Sequence, residues 1–310
     1  MSASWINPRN GFDGIWPALL TPLDARLGIA HDRLAAHVRS LLDAGCGGVT
    51  LFGTTGEGPS FSMQERCEAL EQLIAHGIPA ERITVSTSCA ALPETLALTR
   101  HAIERGVHGC LMLPPFFFKG VSEQGVIDCY TQVLDALPAS GWRLYLYHIP
   151  QVTGVGLTQN VIATLLQRYP QVIVGIKDSA CDRAHSVALA QAFMPGITVY
   201  VGYEPDLPEL GRRGSTGAIS GLANFLPRTV RRMVKEPDGL QATPDAQRIA
   251  AVLDALKPYS LMPALKGIMA ELDGDESWLR TRPPLTPLTA EERQGLRQAW
   301  KALGIDAASA

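Results

Sequence analysis

The segment Val172-Ile173-Val174-Gly175-Ile176-Lys177-Asp178 is apolar at nearly every position until it closes on a lysine and an aspartate. Consecutive rather than alternating apolar residues mark a strand covered on both faces, as in a parallel sheet. A lysine at the end of such a strand is costly, because burial disfavours the charged ammonium. The uncharged amine is the form that attacks a carbonyl carbon. The plain structural alternative is a rim lysine paired with Asp178 or another acid. The chain has six lysines, and Lys119, Lys235, Lys257, Lys266 and Lys301 fall in expected loops or helices. Lys177 alone lies in an expected core strand.

Working outward, seven further short apolar runs occur at 14–21, 47–53, 83–88, 109–113, 143–149, 198–202 and 217–220, with 172–177 the sixth in order. Segments with helical spacing lie between them, and this alternation predicts βαβ units on a parallel sheet. In 31–44, Leu34, His37, Val38 and Leu41 form one stripe; in 63–76, Cys67, Leu70 and Leu73 do. Ser62 with Glu65 has capping-box spacing, and Ser122 and Thr158 are expected N-caps. Eight strands in roughly 250 residues or fewer fit a closed (β/α)₈ barrel, a TIM barrel, better than an open sheet. The expected organisation is an N-terminal arm (1–13), the barrel (14–236) and a C-terminal helical appendage (237–310). Residues 236–243 read as a linker, and helical patterns follow at 244–256, 261–272 and 290–303.

Composition excludes several function classes. The 310 residues are 46% hydrophobic and 18% charged with a net charge of −3, and the pI is near 6.2. No run of like charges suggests a nucleic-acid or membrane partner. Cys46, Cys67, Cys89, Cys110, Cys129 and Cys181 show no CxxC pair and no metal-ligand spacing with histidine. No metal and no cofactor is expected. The polar start lacks a signal-peptide pattern and no segment has the roughly 18 apolar residues of a spanning helix. A cytoplasmic protein with a small-molecule partner is the expectation.

In such a barrel, functional residues close the strands. The second run ends Gly53-Thr54-Thr55-Gly56-Glu57-Gly58, where glycines free N–H groups and hydroxyls to converge on a small anion such as a carboxylate or phosphate. It lacks the GK[ST] of a phosphate loop, and a tight βα turn would look the same. The fifth run ends Tyr145-Leu146-Tyr147-His148-Ile149-Pro150. Tyr145 and Tyr147 share one side of the strand, and a phenol there can move protons or merely pack. His148 faces the other way and reads as a structural histidine. Glu57, Ser60, Tyr203, Glu204 and Ser220 also stand at strand tops.

Four motifs together, the GTTGE turn at 53–57, Y-x-x-P-x-x-T-G at 147–154, GIKD at 175–178 and R-x-P-L-x-P-L at 282–288, resemble the dihydrodipicolinate synthase and N-acetylneuraminate lyase superfamily of class I aldolases. The resemblance runs from about Gly14 through Leu288. It implies that Lys177 forms an imine with the C2 carbonyl of pyruvate, that Thr54 and Thr55 hold the carboxylate, and that Tyr147 is the general acid/base. It further implies that Gly202 and Ile219 present backbone groups to the imine. A homotetramer, arranged as a dimer of dimers, is the implied assembly.

Two positions depart from the pattern. Val152 stands where the synthases carry an arginine for the carboxylate of aspartate semialdehyde, and an apolar side chain cannot make that pair. Phe117 stands where the family commonly places a tyrosine that crosses a subunit interface to relay protons. The leading expectation is therefore a pyruvate-imine lyase, aldolase or dehydratase acting on a 2-oxo acid of the 2-keto-3-deoxy sugar acid kind, with Val152, Phe117, Glu57 and Tyr203 as selectivity residues. The alternatives are a true synthase that binds the semialdehyde through Lys119 or Arg183, and a non-catalytic ketoacid-binding barrel.

Overall fold

A computed structural model describes residues 11–304; residues 1–10 of the expected N-terminal arm lie outside it. The eight apolar runs become β1 (Gly14–Pro17), β2 (Val49–Leu51), β3 (Ile83–Ser86), β4 (Gly109–Met112), β5 (Leu144–His148), β6 (Ile173–Asp178), β7 (Thr198–Val201) and β8 (Gly217–Ser220). All pairings between them are parallel, in the order β1-β8-β7-β6-β5-β4-β3-β2. The remaining seam between β1 and β2 is bridged by Ala18 and Thr50, with the Leu19 N–H donating to the Thr50 carbonyl at 2.9 Å. The sheet therefore closes on itself as a (β/α)₈ barrel.

A helix follows every strand: His31–Asp43, Met63–Ala75, Leu92–Glu104, Glu123–Leu134, Gln159–Arg168, Arg183–Phe193, Leu207–Arg212 and Pro227–Lys235. The caps read from sequence are formed. Ser62 and Glu65 make a reciprocal capping box, and Ser122 and Thr158 accept from the N–H groups of Gly125 and Val161. Three further helices follow at Ala242–Leu256, Leu261–Asp273 and Ala290–Ala302. The first starts inside the segment read as a linker, since Ala242 and Thr243 already belong to it. Ile249, Val252, Leu265 and Ile268 from these helices join the same buried cluster as the barrel's outward strand residues, so the C-terminal helices share the barrel's outer core.

The barrel interior is a separate, aromatic cluster of Phe12, Trp16, Tyr145, Tyr147 and Tyr200 with Leu111, Val174 and Ile219. One irregularity decides which residues enter it. Along the β5–β6 pair, Leu144 faces Ile173 but Tyr145 faces Gly175, so β6 advances two residues while β5 advances one. Strand side chains alternate faces, and one extra residue inverts everything beyond it. Ile173 lies in the outer cluster and Val174 in the inner one, and after the extra residue Ile176 is again outward and Lys177 inward. Gly175 lines the interior without a side chain because a Cβ there would sit 2.6 Å from Tyr200 Cε2 and 3.0 Å from Tyr145 Cδ1.

Candidate active site

Lys177 enters the barrel just below its C-terminal rim, with only 5% of its surface exposed. Its Nζ donates to the Tyr147 hydroxyl at 3.2 Å and lies 4.4 Å from the centroid of that ring. Lys177 and Tyr147 are register partners on adjacent strands, which is why their side chains meet. Beyond Tyr147 the line continues to Thr54, whose Oγ1 stands 3.4 Å from the phenol oxygen. An amine, a phenol and an alcohol are thus held in one row by β6, β5 and the turn after β2.

The rim-lysine alternative does not hold. Asp178 points out of the barrel, where its Oδ2 accepts from His185 Nδ1 at 2.9 Å and Ser186 Oγ at 2.7 Å. Its Oδ1 accepts from the Ala180 N–H at 3.1 Å. Among the described residues no carboxylate forms an ion pair with Lys177. The Tyr147 phenol is, among the described residues, the one hydrogen-bond partner of the Lys177 amine.

Thr54 and Thr55 are half-buried in a turn whose shape is set by its neighbours. Phe52 and Glu57 both adopt the left-handed conformation at φ 57°. A Cβ on Gly56 would approach the Leu19 carbonyl to 2.6 Å, and one on Gly58 the Phe52 carbonyl to 2.0 Å, so neither position tolerates a side chain. Thr21 Oγ1 donates to the Gly56 carbonyl at 2.8 Å, tying the turn to the end of β1.

Gly202, at the end of β7, lies directly against the lysine. A Cβ there would be 1.9 Å from Ser179 Oγ and 3.1 Å from Lys177 Cε. Its own N–H is committed to the Asp178 carbonyl at 2.8 Å. Ile219 is fully buried in the inner cluster on β8. Ser179, which sequence reading passed over, is buried on the same side as Lys177. The signal was available, because residues two apart on a strand share a face.

The residues expected to select the substrate are not gathered with this row. Glu57 is a correction: its carboxylate is buried and forms an ion pair with Lys266 on the helix Leu261–Asp273 instead of facing the barrel mouth. Lys266, read from sequence as an ordinary helix lysine, is fully buried. Val152 is 55% exposed on a short helix, Pro150–Thr153, and Phe117 is 69% exposed. Tyr203 is half-buried beside the outer core. Glu204 is buried and accepts from Ser220 Oγ at 2.7 Å and the Leu222 N–H at 3.3 Å. Lys119 is engaged by the Phe116 and Thr153 carbonyls, and Arg183 pairs with Asp206 at 2.6 Å.

The fold also brings together His148, Asp178 and His185, a grouping with no signature in sequence spacing. Burial pushes the His148 imidazole below its usual range. Its Nδ1 accepts from the Leu157 N–H at 2.9 Å, and the two rings stack at 4.4 Å with 17° between planes. Ring-nitrogen lone pairs lie in the ring plane, so near-parallel stacked imidazoles cannot both aim at one ion. This group is a hydrogen-bonded brace outside β5 and β6.

The fold and the sequence have close counterparts. The family model described as the dihydrodipicolinate synthetase family matches residues 11–303. The chain is 38% identical to an uncharacterized DapA-like lyase of Chloroflexus aurantiacus, over 93% of this chain and 96% of that protein. The crystal structure of dihydrodipicolinate synthase from Agrobacterium tumefaciens superposes with a TM-score of 0.89 at 32% identity, covering 94% of this chain and 99% of that one. YagE of Escherichia coli K12, a putative 2-dehydro-3-deoxy-D-gluconate aldolase, is 27% identical over 95% of this chain and 98% of its own. The crystal structure of YagE in complex with pyruvate superposes with a TM-score of 0.85. The match over nearly all of its length, together with the barrel and the buried lysine strand, shows that the chain belongs to the dihydrodipicolinate synthetase family of class I lyases.

Proposed function

We propose that the protein is a pyruvate-imine lyase in which Lys177 is the nucleophile, and that it cleaves or dehydrates a 2-keto-3-deoxy acid of the sugar-acid kind. The observation that carries this reading is the Lys177–Tyr147–Thr54 row, in which the buried amine is hydrogen-bonded to a phenol and, among the described residues, paired with no acid. Lys177 Nζ attacks C2 of the 2-oxo acid, and Tyr147 protonates the departing hydroxyl as the carbinolamine loses water. The cationic imine then draws the electron pair of the breaking C3–C4 bond into an enamine. The phenolate left by the first step takes the C4 hydroxyl proton as the aldehyde departs, and protonation of the enamine at C3 followed by hydrolysis of the imine releases pyruvate and returns the Lys177 amine. Thr54 and Thr55 hold the carboxylate with N–H and hydroxyl donors, and Gly202 and Ile219 close the site around the imine.

Three features favour this over condensation of pyruvate with aspartate semialdehyde. Val152 brings an apolar, exposed side chain to the position where the resemblance implies a carboxylate-binding arginine. The two other basic candidates, Lys119 and Arg183, are already engaged. YagE, similar over nearly its whole length, is named a putative 2-dehydro-3-deoxy-D-gluconate aldolase. We also read the protein as a cytoplasmic homotetramer, a dimer of dimers, in which Phe117 and Phe118, 69% and 70% exposed, meet a second copy. Among the described residues no helix is long and apolar enough to cross a membrane.

Incubation with pyruvate and borohydride tests the reading. A reduced adduct on the Lys177 peptide is expected, and an unmodified Lys177 peptide under saturating pyruvate sinks it. A panel of 2-keto-3-deoxy acids assayed for pyruvate release, run beside pyruvate plus aspartate semialdehyde, then separates the lyase from the synthase.

A further inference from the structure

Glu57 and Lys266 form an ion pair in which both side chains are fully buried. Neither carboxylate oxygen of Glu57 accepts a hydrogen bond from any other described residue, so Lys266 is its single polar partner. A charge in that position is tolerated only while its partner stays in place. Lys266 is anchored in turn, donating to the Arg280 carbonyl at 2.9 Å. The side chains of Arg280 and Arg282 then reach back to the barrel top, to the Leu23 carbonyl at 3.1 Å and to the Leu27 and Ser60 carbonyls at 2.7 and 2.9 Å.

On the other side, Glu57 acts directly on the threonine turn. Its N–H donates to the Thr54 carbonyl at 3.1 Å, and its own backbone holds the left-handed conformation that a side-chain-bearing residue adopts only under restraint. Gly221 lies between the turn and the helix of Lys266: a Cβ there would lie 3.2 Å from Thr55 Oγ1 and 3.9 Å from Leu265 Cδ1. The turn that closes β2 is thus held from outside the barrel by residues more than 200 positions later in the chain.

We infer that Glu57 and Lys266 are positioning residues, and that their pair fixes the Thr54–Thr55 turn in the geometry that receives the 2-oxo acid carboxylate. The C-terminal helix Leu261–Asp273, which contributes no reacting group, then sets the affinity of the site inside the barrel. This rests on the carboxylate-binding role given to the two threonines above. A donor set displaced by a fraction of an ångström binds its anion poorly, which separates positioning from bulk stability.

The test compares the wild-type protein, E57Q and the double variant E57L/K266M, which keeps most of the volume and strands no charge. For each, imine formation is followed as borohydride-trapped adduct against pyruvate concentration, beside Tm. The expected result is an E57L/K266M protein whose half-saturating pyruvate rises about tenfold or more, with full labelling of Lys177 still reached at saturation. E57Q leaves Lys266 buried without its counter-charge, so its half-saturating pyruvate should also rise and its Tm should fall below that of the double variant. An unchanged half-saturation in E57L/K266M overturns the inference while leaving the imine reading intact. Failure of the wild-type protein to label at Lys177 overturns the imine reading first. Should the double variant not fold, hydrogen exchange of the wild-type protein decides: saturating pyruvate should slow exchange in 53–58 and in 261–273 together, and protection confined to 53–58 overturns the inference.

Discussion

Lys177 on β6 and Tyr147 on β5 are register partners, and their Nζ and phenol oxygen lie 3.2 Å apart inside the barrel. The amine's hydrogen bond is to a group that can give a proton and take it back. Replacing Tyr147 with phenylalanine keeps the ring under the amine and removes only the hydroxyl. We expect kcat to fall by about 10²–10⁴, with Lys177 still trapped by pyruvate and borohydride after longer incubation. An undiminished kcat would show that protons travel by another route.

Gly202 offers a steric test of the same centre. An alanine methyl there meets Ser179 Oγ at 1.9 Å and Lys177 Cε at 3.1 Å, so one of the two must move. G202A should lose about 1–3 kcal/mol of stability and slow imine formation more than tenfold at saturating pyruvate. Adding S179G removes the nearer clash and should restore part of the Tm. Slow imine formation that persists in that double variant would assign the effect to the lysine.

His108, half-buried just before β4 against the rings of Phe12, Trp16 and Tyr145, gives a pH dependence whose sign is fixed by its burial. Desolvation, aided by Arg143, holds His108 down at about 4 from an ordinary value of 6.5, and its Nε2 lies 2.9 Å from the Tyr145 hydroxyl. The folded protein keeps this ring neutral where the unfolded chain binds a proton, so its contribution is complete above pH 6.5 and is lost as pH falls toward 4. Burial shifts His37 and His148 in the same direction. Thermal melts between pH 7.5 and pH 4.5 should show Tm falling throughout the lower part of that range. H108Q should flatten the slope, with His108 accounting for about 2–3 kcal/mol over the full interval.

Phe117 and Phe118 pack edge-to-face on each other, with ring centroids 5.2 Å apart, and each is about 70% exposed. A surface aromatic pair of this kind favours association. F117S/F118S should shift the protein to smaller species in sedimentation velocity while leaving its far-UV circular dichroism unchanged. A tetramer that survives both serines would place the assembly contact elsewhere.

The sequence by itself determined the architecture and singled out the lysine we propose as the nucleophile. Eight apolar runs, each followed by a helix, three of them carrying a recognisable serine or threonine N-cap, specify a βα-barrel because strand and helix periodicities are local properties of the chain. The position of Lys177 at the end of an unbroken apolar run singled it out from six lysines, and the four motifs supplied Tyr147 and Thr54. Tertiary structure alone decided which way that lysine faces. With strict alternation Lys177 would share the outward side of Ile173; the extra residue near Val174, made possible by a side-chain-free Gly175 between two tyrosine rings, turns it inward. No local pattern announces such a register step, since it depends on what the neighbouring strands place opposite. The role of Glu57 was hidden for a related reason. Its partner Lys266 lies 209 residues away by number, and only ring closure and the return of the C-terminal helix bring the two charges into one buried pair.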